Sequence, residues 1–111
     1  MKLIEFRGTA LGDLRDFPRS AMREAGHQLD KVQHGLPPDD FKPMKTIGAG
    51  VMEIRIRDET GAFRVVYVAK FESAVYVLHC FQKKTSKTNP RDIELARQRL
   101  TELIKEISHG R

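Results

Sequence analysis

Val51–Lys83, VMEIRIRDETGAFRVVYVAKFESAVYVLHCFQK, decides the fold. Its first eight residues alternate: Met52, Ile54 and Ile56 point one way, and Glu53, Arg55 and Arg57 the other. That is the period of a strand with one covered face. Phe63–Lys70 is β-branched and apolar on both faces, as a strand between two neighbours would be. In Ala74–Lys83, strict alternation puts Tyr76, Leu78 and Cys80 on one face and Val77, His79 and Phe81 on the other. Asp58-Glu59-Thr60-Gly61 and Glu72-Ser73 are short enough for hairpin connections. The stretch therefore predicts a three-stranded antiparallel meander.

Upstream, Gly48 and Gly50 mark a turn or bulge leading into the first of these strands, and the Pro-rich LPPDDFKPMK of Leu36–Lys45 is expected as a surface loop. Before it, Met22, Ala25, Leu29 and Val32 follow the three-and-four spacing of a helix. Pro18 suits its first turn, and Gly35 its end. A shorter helix with Thr9 as N-cap carries Leu11, Leu14 and Phe17 on one side, and Leu3–Phe6 is a candidate strand. Downstream, Asn89 is an N-cap with Pro90 in the first helical position, and Asp92 and Glu94 complement the positive helix start. Ile93, Ala96, Leu100, Leu103, Ile104 and Ile107 form the apolar stripe. The expectation is an α+β fold over residues 1–111, one domain. It has a small, antiparallel-dominated twisted sheet (N-terminal strand plus meander), two N-terminal helices and a C-terminal helix packed on it.

At 111 residues, 40% hydrophobic, the chain can build one modest core but not a cleft between two domains. Twenty Lys and Arg against 15 Asp and Glu leave a net charge of +5, which favours polyanionic partners. Cys80 is the only cysteine, so no intramolecular disulfide forms, and its apolar surroundings suit a packed thiol. His27, His34, His79 and His109 are scattered without metal-ligand spacing, so neither a metal nor another cofactor is expected. The N-terminal MKLIEF lacks a signal-peptide apolar region, and no run is long enough to span a membrane; a cytoplasmic protein is expected.

The cations are unevenly placed. Arg55 and Arg57 share a strand face with Glu53, and like charges side by side repel unless an anion lies between them. A solvated sheet face would also carry them. Arg64 sits among apolar neighbours, which is costly unless the charge is paired or functional; Glu53 could be its structural partner. Lys83, Lys84 and Lys87 follow where the last strand ends, a position that also suits lysines guarding a sheet edge. Together, three segments far apart in sequence bring Arg55, Arg57, Arg64, Lys83 and Lys84 to adjoining positions of one sheet.

The strings KPMKTIGAGVMEIRIRD, FRVVYVAK and FQKKTSKTNPRDIELARQRL, in this order of elements, resemble the RelE/ParE toxin superfamily, and within it the HigB-like, phage-associated branch. The resemblance spans nearly the whole chain. It implies the toxin of a type II toxin–antitoxin system, an mRNA interferase that cuts translated mRNA on the ribosome through attack of the ribose 2′-hydroxyl. It also implies a helix-turn-helix antitoxin as partner. Such chemistry needs a base, an acid and positive charge beside the phosphorane. By the same resemblance Arg64 matches the transition-state stabiliser, and Arg55, Arg57 and Lys83, with Lys87 beyond them, match RNA-binding positions. Glu53 is where some members hold a base or an orienting residue. Lys84 and His79 stand as catalytic candidates, His79 because the last strand offers no other histidine. The tyrosine that RelE carries near its C-terminus is absent from Arg91–Ser108. A ParE-like inhibitor of DNA gyrase, or a basic binding module without activity, is the alternative implied.

Overall fold

A computed structural model describes residues 1–110. In chain order the elements are β1 (Leu3–Phe6), α1 (Ala10–Arg15), α2 (Arg19–Gln33), β2 (Phe41–Pro43), β3 (Val51–Asp58), β4 (Gly61–Val68), β5 (Ala74–Lys83) and α3 (Pro90–His109). The strands form one sheet in the order β1-β5-β4-β3-β2. β1 joins β5 in parallel, and every other pairing is antiparallel. The α+β meander read from the sequence is present.

Helices cover both faces of this sheet. Leu14, Phe17, Ala21, Ala25, Leu29 and Val32 of the α1–α2 layer pack on Ile54, Ile56, Phe63, Val65, Val77 and Cys80. On the other face Ala96, Leu100 and Leu103 of α3 pack on Val51, Val66, Val68, Tyr76 and Leu78. β4 lies between β3 and β5 with a layer on each side, which is why its residues from Phe63 onward are all buried. The close seat of α3 needs Gly48, where an added Cβ would stand 2.4 Å from Leu100 Cδ2.

The helix ends follow local chemistry, with two adjustments. Asn89 accepts a hydrogen bond from the Arg91 amide, as an N-cap should. Gly35 has φ +79°, and the bonds from its amide to Val32 and from Leu36 to Lys31 close α2 with a left-handed turn. Pro18 occupies the cap of α2 rather than its first helical position. Thr9 precedes α1 as expected, but its hydroxyl bonds the Asp13 carboxylate instead of a backbone amide.

Two features depart from the sequence expectation. The loop of residues 36–45 contains β2, which pairs Phe41 with Ile54, Lys42 with Glu53 and Pro43 with Met52. Pro43 is tolerated because β2 is an edge strand, whose outer side needs no donor. Second, β5 carries a bulge. His79 lies opposite Val66 and Val77 opposite Tyr67, so Leu78 is an extra residue in the ladder. Strict alternation therefore breaks at Leu78. Tyr76, Leu78, His79 and Phe81 lie toward α3, while Val75, Val77 and Cys80 lie toward α1 and α2. The expected grouping of Cys80 with Tyr76 and Leu78, and of His79 and Phe81 with Val77, is corrected by that one residue.

Candidate nucleic-acid interface

On the α3 side of the sheet, the register lays residues out in rows. One row holds Lys42, Glu53, Val66 and His79; the next holds Arg55, Arg64 and Phe81; the third holds Arg57, Ala62 and Lys83. The apolar cluster beneath α3 covers Val66 in the first row and has Phe81 of the second packed at its edge, and the segment 84–89 crosses from the end of β5 to bring Thr88 to Glu53. What remains open is a basic surface with Arg64 at its centre.

Arg64 and Glu53 lie diagonally on adjacent strands, their side chains 7% and 0% exposed. Arg64 Nε and Glu53 Oε1 approach to 3.5 Å without forming a hydrogen bond, and both atoms are buried and unpartnered. Arg64 Nη1 donates to the carbonyl of Phe63 at 3.0 Å, and Glu53 Oε2 receives only a long 3.4 Å contact from the Thr88 hydroxyl. Buried polar atoms without partners are uncommon and are found where a ligand or a mechanism uses them. Burial lowers the Arg64 pKa, an effect that Glu53 opposes and Arg55 and Arg57 reinforce.

Arg55 stands directly across the ladder from Arg64 and is exposed; its Nε donates to Asp40 Oδ1 at 3.0 Å, and its Nη2 lies 3.0 Å from the same oxygen in an ion pair. Arg57 is exposed in the next row. Lys83 shares that row, and its pKa is lowered by partial desolvation and by the nearby charges of Arg64, Lys42 and Arg55. Lys84 and Lys87 lie just past the strand, exposed on the loop. Of the residues singled out in the sequence, the fold therefore brings Glu53, Arg55, Arg57, Arg64 and Lys83 together, with Lys84 and Lys87 on the rim.

His79 is on the same face but beneath it. Its Nε2 is 2.7 Å from Asp92 Oδ1, and its Nδ1 is 3.5 Å from Arg99 Nη1. Arg99 can only donate, so the network assigns the proton to Nε2, with both ring nitrogens engaged. Phe81 stacks on the imidazole at 4.9 Å between centroids and 23° between planes. Arg99 also donates to the carbonyl of Leu78, the bulged residue, and to the Thr9 hydroxyl, tying α3 to β5 and to the start of α1.

Lys42, Phe81, Asp92 and Arg99 were not among the site residues expected from the sequence. For Lys42 the missing signal was β2 itself, and for Phe81 it was the bulge. Among the described residues there is no cluster of three or more His, Cys, Asp or Glu side chains able to hold a metal ion. No helix among them is long and apolar enough to cross a membrane.

No curated protein matches the chain. Among solved structures it is similar to a double arginine-to-alanine mutant of the E. coli toxin RelE in the free state. The TM-score is 0.64 at 16% identity, over 92% of this chain and 97% of that one. The model of the family described as phage derived protein Gp49-like (DUF891) matches residues 12–101. With that match across most of its length, the chain belongs to the phage-derived Gp49-like family, and it shares the fold of RelE.

Proposed function

We propose that this protein is the toxin of a type II toxin–antitoxin system and a metal-independent endoribonuclease that cuts translated mRNA on the ribosome. The observation that carries this reading is Arg64. It is a buried guanidinium with an unused donor, loosely held by its carboxylate and set at the centre of a basic face.

In the proposed reaction the 2′-oxygen of one ribose attacks the adjacent phosphorus and its proton passes to a base. The bond to the 5′-oxygen breaks, and that oxygen takes up a proton. The products are a 2′,3′-cyclic phosphate and a free 5′-hydroxyl. Arg64 donates to the non-bridging oxygens, where negative charge grows most. Lys83, near enough to Arg64 for their charges to interact, and the adjoining Lys84 would give the leaving oxygen its proton, and the lowered pKa of Lys83 eases that release. Glu53, fully buried, acts through Arg64 by holding it, and His79 supports Phe81. Arg55, Arg57 and Lys87 attract the RNA backbone. A helix-turn-helix antitoxin would cover this face and stabilise the toxin by mass action.

The test is induction in a host strain, with primer extension on its transcripts and parallel readouts of protein synthesis and DNA supercoiling. Rapid translation arrest with in-frame cuts supports the proposal. An SOS response with intact transcripts would replace it with gyrase inhibition. Co-expression with the neighbouring gene and pulldown should capture the antitoxin; a chain that expresses freely and captures nothing counts against the partner.

A further inference from the structure

A cleft of about 260 Å³ opens beside the basic face, lined by Phe81, Lys83, Lys84, Asn89, Arg91 and Asp92. We infer that it is a nucleobase pocket, with Phe81 as its stacking wall and Asp92 reading the hydrogen-bonding edge of the base. This rests on the ribonuclease reading and adds to it a residue that sets sequence preference.

Three observations support it. Phe81 lies directly across the ladder from Arg64, so a phosphate on Arg64 puts its own nucleotide's base within reach of the ring. One face of that ring is already stacked on His79, and a base on the other side extends an ordered stack rather than creating one. The first turn of α3 also argues for a base and against a phosphate. The amides of Arg91, Asp92 and Ile93 are all bonded to Asn89, so none is left for an anion. The side chains do have capacity to spare. Asp92 uses only Oδ1, on His79, and is 25% exposed, leaving Oδ2 to accept from a ring N–H or an exocyclic amine. Asn89 uses its Oδ1 as the cap, which leaves its NH₂ to donate. Lys84 and Arg91, exposed at the rim, face the flanking phosphates.

Phe81→Leu and Asp92→Asn separate the two contributions. The asparagine can still accept from His79 through its oxygen, but it offers the cleft a donor where the acid offered an acceptor. The probe is a short RNA with 2-aminopurine and 2′-deoxy sugars, which binds but cannot be cut. Stacking should quench its fluorescence with the wild-type protein. Phe81→Leu, checked for an unchanged melting temperature, should abolish the quench and weaken binding about 5- to 150-fold, the range of one aromatic stack. Asp92→Asn should keep the quench and shift the preferred base beside the cut in mapped transcripts. If the quench is absent from the wild type or survives Phe81→Leu, or if both proteins cut with one base profile, the pocket is refuted. A quench that depends on Phe81, from a protein that cuts no RNA, upholds the pocket and overturns the ribonuclease.

Discussion

Glu53→Gln removes the carboxylate closest to Arg64 and keeps the side chain's shape. In the wild type that carboxylate is fully buried, 3.5 Å from Arg64 Nε, and three further cations, Arg55, Arg57 and Lys83, lie around the pair. Once Glu53 is neutral, Arg64 has no buried counter-charge and must either stay desolvated or withdraw toward water. Removing one partner of a buried pair costs about 3–5 kcal/mol. Arg64 has some exposure and Glu53 holds it without a good hydrogen bond, so the lower end, about 3 kcal/mol, applies. For a chain of this length that is a fall in melting temperature of roughly 12 °C. Replacing both partners by methionine should recover most of the loss, because it also removes the desolvated charges. Urea unfolding of Glu53→Met, Arg64→Met and the double variant gives the coupling directly. A Glu53→Gln protein as stable as wild type would show that Arg64 draws nothing from Glu53. Its burial would then need another cause.

Three further outcomes are expected. Arg64→Lys keeps the charge but loses the planar fork, so cutting should slow on the order of 10²- to 10³-fold in a protein that still melts cooperatively; wild-type cutting would remove Arg64 from the chemistry. Arg55→Ala and Lys87→Ala should each weaken RNA binding and lower the salt slope by about one charge, leaving the rate at saturation nearly unchanged; a lost rate at saturating RNA would move them into the reaction. Burial pushes the Cys80 thiol up to about 12, so at pH 8 it should resist iodoacetamide in the folded protein and react once urea unfolds it; fast labelling of native protein would contradict the packing of β5.

Most of the fold was legible because it was written in short-range patterns. Alternation in β3, Gly61 at the two-residue turn and Asn89-Pro90 at the start of α3 each specify local geometry without outside help. β2 was not, since three residues in a Pro-rich stretch become a strand only by pairing with β3. The bulge was not, because alternation records parity and cannot show where one residue has been added. That single residue decided the face of His79, Cys80 and Phe81. The basic cluster was legible through hairpin register, which brought Arg64 opposite Arg55 and left Glu53 on the diagonal. The cleft beside Phe81 was not, because its walls come from β5 and α3 and neither half carries a motif.

Leu78 also bears on how chain length can vary in this protein. A deletion elsewhere in β5 would exchange the faces of all residues beyond it, sending Cys80 to the α3 side with the basic cluster and Phe81 toward α1 and α2. A deletion of Leu78 itself would leave Val66 opposite His79 and Tyr67 opposite Val77, and would cost only a hole beneath α3. β5 thus contains one joint at which its length can change without reorienting Phe81 or Lys83. Related chains that differ by a single residue in this strand should be aligned with the gap at that joint.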